Sequence, residues 1–185
     1  MTTGIRTLIG TSITNAPRLV LLSALVAATS LPGMAQANHD HAAPAKLVQI
    51  VREATRKYID VNNAAPDYGP AFGCVSGPDH GAMGIHYING ALLDGDIDAE
   101  HPEALIYEPV GDQRRLVGVE YIVDASTWMS NHTAPPMLEG QAFQFVGSPN
   151  RYGIPPFFEL HVWAWRNNPN GAFVDWNNKV SCEGQ

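Results

Sequence analysis

The sequence predicts an α+β fold, in which one N-terminal amphipathic helix packs on a curved, mainly antiparallel sheet of about six strands tied by one disulfide. Three observations carry that expectation. Apolar residues follow helical spacing in one stretch, residues 45–62. Beyond Pro66, Gly69, Pro70 and Gly73 the apolar runs are short and bounded by Gly, Pro, Asn or Asp. The chain holds two cysteines, Cys74 and Cys182, with no metal-like spacing between them.

Residues 1–37 read as a signal peptide, to be set aside from the fold. Arg6 and Arg18 precede an apolar run at residues 19–28, Pro32-Gly33 breaks it, and Ala35-Gln36-Ala37 supplies a small-residue cleavage site before Asn38. The run is about ten residues, whereas a helix needs about twenty to span a bilayer. The expected location is periplasmic or secreted. Residues 38–46 are small and polar and read as a flexible leader, which leaves residues 47–185 as a single α+β domain. Export also gives the cysteines their meaning, because an oxidising compartment favours a Cys74–Cys182 bridge over free thiols.

Within the domain, Leu47, Ile50, Val51, Ala54 and Tyr58 form one stripe, with Arg52, Glu53, Arg56 and Lys57 on the opposite side. Strands are expected at residues 84–89, 104–108, 116–123, 141–146, 157–165 and 173–176. The second and third would form a hairpin through Pro109–Gln113. The last two would form another through Asn167-Asn168-Pro169-Asn170-Gly171, where Asn-Gly suits a tight turn. The acidic stretch Asp94-Gly95-Asp96-Ile97-Asp98 lacks full EF-hand spacing and reads as a solvated loop.

Charge narrows the partners. Eleven basic against 18 acidic residues give a net charge of −7, so no basic groove for nucleic acid is available. The excised segment carries basic charge alone, so the mature chain is more acidic still and an anionic membrane surface would repel it. A small molecule or a metal ion remains the expected partner.

Strand parity locates the candidate chemistry, because side chains alternate faces with period two. Glu159, His161, Trp163 and Trp165 fall on one face of their strand, opposite Leu160, Val162 and Ala164. The aliphatic face suits the helix, and the polar, indole-bearing face suits a pocket. His86 shares a face with Ile88, and Glu120 shares one with Leu116, Gly118 and Ile122. If the strands are neighbours, His86, Glu120 and His161 converge as two imidazoles and a carboxylate, a ligand set for zinc, copper or iron. Glu159, Trp163 and Trp165 would line the ligand pocket beside it. The competing explanation is a set of hydrogen-bonded core residues, since no H-x-H, H-E-x-x-H or C-x-x-C occurs within the domain. The single H-x-H, His39-Asp40-His41, falls in the leader.

Nucleophile elbows and phosphate loops are absent. Glu108 and Glu120 could face each other across the first hairpin as an acid/base pair. Four blocks, Gly81-Ala82-Met83-Gly84-Ile85-His86-Tyr87, Pro102 to Pro109, Leu116 to Tyr121, and His161-Val162-Trp163-Ala164-Trp165 with Asn168-Pro169-Asn170-Gly171, resemble those of a family of exported bacterial proteins of unassigned function. The resemblance covers most of residues 47–182 and implies an exported single-domain protein, with no activity attached. An exported metalloprotein or binding protein is therefore the leading expectation. A hydrolase or lyase using His/Glu acid–base chemistry, and a carbohydrate-binding module stacking sugars on Trp163 and Trp165, are the alternatives.

Overall fold

The computed structural model describes residues 45–184. The signal peptide, the His39-Asp40-His41 motif and the leader up to residue 44 lie outside the described residues. The first helix, α1, spans Lys46–Thr55 and buries Leu47, Val48, Val51 and Thr55. It is shorter than the helical spacing suggests. At its end the Thr55 hydroxyl turns back to the Val51 carbonyl at 2.6 Å, and the chain tightens into 3-10 turns at Arg56–Ile59 and Val61–Asn63. The Tyr58 carbonyl accepts the Tyr107 hydroxyl at 2.7 Å, which holds this turn down on the sheet.

Nine strands follow, β1 Gly69–Pro70, β2 Val75–Gly77, β3 Gly81–Ile88, β4 Ala104–Val110, β5 Gln113–Asp124, β6 Met137–Leu138, β7 Gln141–Ala142, β8 Gln144–Val146 and β9 Phe157–Val162. The main sheet is antiparallel, runs β1-β3-β4-β5-β9-β8, and carries β2 alongside β3. β6 and β7 form a separate two-stranded sheet. The stretch expected as one strand over residues 141–146 is thus divided, because the buried Phe143 bonds through its N–H to Pro136 and turns the chain between two partners. A second helix, α2 at Ala125–Asn131, was not apparent from spacing; Asp124 caps it by accepting the Thr127 N–H at 2.7 Å. Residues 173–176 form no strand. The turn before them closes with Trp163 N–H on the Ala172 carbonyl at 2.9 Å, after which the chain leaves the ladder.

One face of the sheet packs on α1. Leu105, Tyr107, Val119, Tyr121, Val123, Phe158, Leu160 and Val162 meet Leu47, Val48 and Val51 there. The other face carries a smaller apolar cluster of Ala82, Ile106, Val117, Trp163 and Val180. A bulge explains why Val117 lies on that side. Ile106 pairs with Gly118 but Tyr107 pairs with Leu116, so Val117 is the extra residue and Leu116 moves to the helix side. Strict alternation through β5 would have put Leu116 with Gly118.

The Cys74–Cys182 disulfide is present, with Cα atoms 5.6 Å apart and a sequence separation of 108. It fastens the end of the chain beside β2, and Cys182 packs on the smaller cluster. Closing so long a loop stabilises the fold by about 4 to 5 kcal/mol in the chain-entropy picture. Among the described residues, no helix is long and apolar enough to cross a membrane.

Candidate metal centre

The sheet face away from α1 carries a row of residues that only burial makes unusual. Across the strands, Ile88 pairs with Ala104, Ala104 with Glu120, and Glu120 with His161; one step along, His86 pairs with Ile106 and Ile122 with Glu159. Paired residues share a face, so β3, β5 and β9 deliver two histidines and two glutamates to one spot. All four are buried, His161 completely.

His86 and Glu120 sit two strands apart with β4 between them. Their side chains nevertheless meet, His86 Nε2 to Glu120 Oε2 at 3.2 Å. On β4 the residue opposite Glu120 is Ala104, fully buried, and the residue opposite His86 is Ile106. The His86 and His161 rings are edge-on, 5.8 Å between centroids. Donor atoms of His86, Glu120 and His161 all lie within 4.8 Å of one another. The same holds for Glu159, His161 and Asp175.

Asp175 is a member of the site that sequence inspection missed. It stands on the loop after the Asn170-Gly171 turn, 3.6 Å from His161 Nδ1, and Gln144 Nε2 donates to its Oδ1 at 2.6 Å. Its signal was faint: an acid between Phe173 and Trp176, just past a turn that folds back on the strand of His161.

The electrostatics are severe for a core. Burial disfavours charge on Glu120, but the imidazoles of His161 and His86 outweigh it and hold the carboxyl well below the usual range. Burial and the neighbouring Glu120 charge push Glu159 the other way, well above the usual carboxylate range. Burial also opposes a charged His161, yet Glu120, Asp175 and Glu159 together raise it to about 9. The hydrogen bonding remains incomplete. His86 Nδ1, both ring nitrogens of His161 and Glu159 Oε2 are buried with no hydrogen-bond partner. Buried polar atoms are normally paired, so four orphans in one place require an explanation.

A cavity of about 170 Å³ opens beside the cluster, with His86 and Glu120 in its lining. Phe72, Tyr152 and Phe157 supply aromatic walls, with Ile88, Leu93, Ile122 and Ile154 between them. The Trp-flanked pocket expected from strand parity is corrected here. β9 ends at Val162, and the Trp165 and Arg166 N–H groups both bond to the Val117 carbonyl at 3.0 Å, so alternation does not continue to Trp165. Trp165 packs on the helix-side core and donates to Thr55 Oγ1 at 3.0 Å. Trp163 stays on the site's side, its ring stacked 6.3 Å from that of His161, but it is buried in the smaller cluster and donates to the Val174 carbonyl. Gly118 makes room for it: a Cβ there would stand 2.7 Å from the Val162 carbonyl oxygen and 3.4 Å from the indole. Neither indole lines the cavity, whereas Glu159 does belong to the polar cluster behind it.

The Glu108–Glu120 pair is also corrected. Glu108 pairs with Arg115 near the hairpin end, 3.2 Å from its guanidinium, and accepts the Ser181 N–H at 3.1 Å. It anchors the C-terminal segment near the disulfide rather than facing Glu120. The chain matches no family model, no curated protein and no solved structure, so the chemistry of the site stands on its geometry.

Proposed function

We propose that this is an exported metalloprotein that holds one divalent transition-metal ion, of the zinc, copper or iron class, through His86, Glu120 and His161. The observation that carries the proposal is the set of orphaned donors: two imidazoles and a carboxylate converge in a buried part of the sheet with ring nitrogens left unpaired. Three carboxyl groups and two imidazoles, four of the five buried, gather ring nitrogens and carboxyl oxygens that a bound cation would engage. Two histidines and one carboxylate suit zinc, and equally the facial set of non-haem iron. Glu159 and Asp175, beside His161, would orient that imidazole as outer partners of a metal ligand do. Export is supported by the disulfide and by the leader sequence.

The cavity favours this over carbohydrate recognition. Its walls offer few polar partners for the hydroxyls of a sugar, and both indoles proposed to stack on one are engaged elsewhere. Acid–base catalysis by His86, His161 and a glutamate remains compatible with the same atoms, and metal content separates the two.

The test is elemental analysis of untagged protein carrying His39→Ala and His41→Ala, so that the leader contributes no imidazole. About one equivalent of metal is expected per chain, with at least a 100-fold loss of affinity in His86→Ala and in His161→Ala while circular dichroism stays that of the parent. Protein that takes up no zinc, copper or iron above a buffer control, or variants that bind as the parent does, would overturn the proposal.

A further inference from the structure

The cavity beside His86 and Glu120 is a second question, because a metal centre alone does not need one. Its volume, about 170 Å³, is close to that of a cavity known to take benzene, about 150 Å³. Its walls match an aromatic guest: the Phe72 and Tyr152 rings are 5.2 Å apart and tilted, and Tyr152 meets Phe157 at 6.1 Å. The Tyr152 hydroxyl is turned toward Met83 Sδ at 3.5 Å, so His86 and Glu120 are the polar groups left to meet a guest. Leu93 and Ile154, 50% and 36% exposed, put the rim at the surface.

We propose that this cavity binds a small molecule of the simple phenol class, with one aromatic ring in the cavity and a single neutral hydroxyl toward His86 and Glu120. The size admits one ring and a small substituent. One polar end is all the lining can satisfy, which excludes sugars and multiply charged metabolites. The head is a hydroxyl rather than a carboxylate, because the acidic group in the lining is Glu120, which repels a second carboxylate and accepts a hydroxyl proton. Such a hydroxyl is also a donor atom suited to a metal ion at the same corner. That last contact rests on the proposed metal site; the fit of the ring does not.

Purified protein, metal-free and after addition of cobalt(II), would be titrated with p-cresol, with benzoate and glycerol as comparators. Saturable p-cresol binding is expected, at least 10-fold tighter than benzoate, with glycerol silent and a change in the cobalt visible bands. Ile154→Trp and Leu93→Trp, which place an indole at the rim from exposed positions, should each weaken p-cresol at least 10-fold and leave cobalt uptake unchanged. If cobalt binds but p-cresol does not, if benzoate binds as tightly, or if both rim variants bind like the parent, the phenol proposal is overturned and the metal proposal stands. If cobalt does not bind, the metal proposal fails by itself. Rim-sensitive p-cresol binding to the metal-free protein would then still support the cavity, and its absence would overturn that too.

Discussion

The two faces of the central sheet are made by the same strands and are buried to the same depth, yet they treat polar atoms in opposite ways. On the face toward α1 three buried tyrosine hydroxyls each find a backbone carbonyl: Tyr107 on Tyr58 at 2.7 Å, Tyr121 on Ala99 at 2.6 Å, and nearby Tyr68 on Pro102 at 2.9 Å. On the opposite face the polar groups are imidazoles and carboxylates, and ring nitrogens of both histidines are left without partners. The first face has the composition of a structural core, in which each buried polar atom is satisfied within the fold. The second has the composition of a site whose satisfaction is left to something bound. Burial alone therefore does not tell a core from a centre; the accounting of hydrogen bonds does.

Substitutions can sharpen that contrast. The largest effect should come from Leu105→Ala on the helix face. It removes a fully buried side chain from the main cluster and should cost about 2 to 5 kcal/mol in urea unfolding. Metal content should be unchanged. Its neighbour on the other face, Ala104→Leu, should cost less stability, about 1 to 3 kcal/mol for overpacking. It would nonetheless lower metal uptake, because it sets a longer side chain directly opposite Glu120 on the face of the site. If both variants change stability alone, or both change metal uptake, the two faces are not separate in function.

Glu103 offers a pH test between the faces. It is buried and accepts the Ile122 N–H at 3.0 Å. Burial raises its pKa from the ordinary 4.5 to about 8, the Ile122 bond offsetting part of the rise. The folded state then binds this proton more tightly than the unfolded chain does. Glu103 thus favours folding most below pH 4.5, and that contribution falls as pH rises toward 8 by at most about 1.4 kcal/mol per unit. Glu103→Gln, which keeps an acceptor for Ile122, should flatten stability across that window relative to the parent. Parallel profiles would show that Glu103 is ionised in the fold.

The smallest effect belongs to Tyr121→Phe. Losing the hydroxyl that meets the Ala99 carbonyl should cost about 1 kcal/mol by thermal or urea unfolding, with metal content unaltered. A much larger loss would mean that the loop around Ala99 depends on that one bond.

The candidate cluster was legible in part because side-chain alternation is a local property. His86, Glu120, Glu159 and His161 each lie within a strand, Glu120 beyond the bulge of β5, so counting by twos among their near neighbours is enough to sort their faces. Counting failed where the strand did. The bulge at Val117 exchanged the sides of Leu116 and Val117, and the end of β9 sent Trp165 to the helix side. Asp175 could not be placed by counting, since it stands on a loop with no ladder to set its direction.

The presence of an amphipathic first helix, though with Val48 and Thr55 buried where Ile50 and Ala54 were expected, the two cysteines and the alternation of the long strands were available from the chain order, because each depends on residues a few positions apart or on residue type alone. The strand order, the meeting of His86 and Glu120 across β4, the return of Asp175 to His161 and the cavity walled by Phe72, Tyr152 and Phe157 were decided by tertiary structure. Those features join residues separated by tens of positions, and their geometry depends on register, bulges and loop paths that only the packing of the whole domain selects.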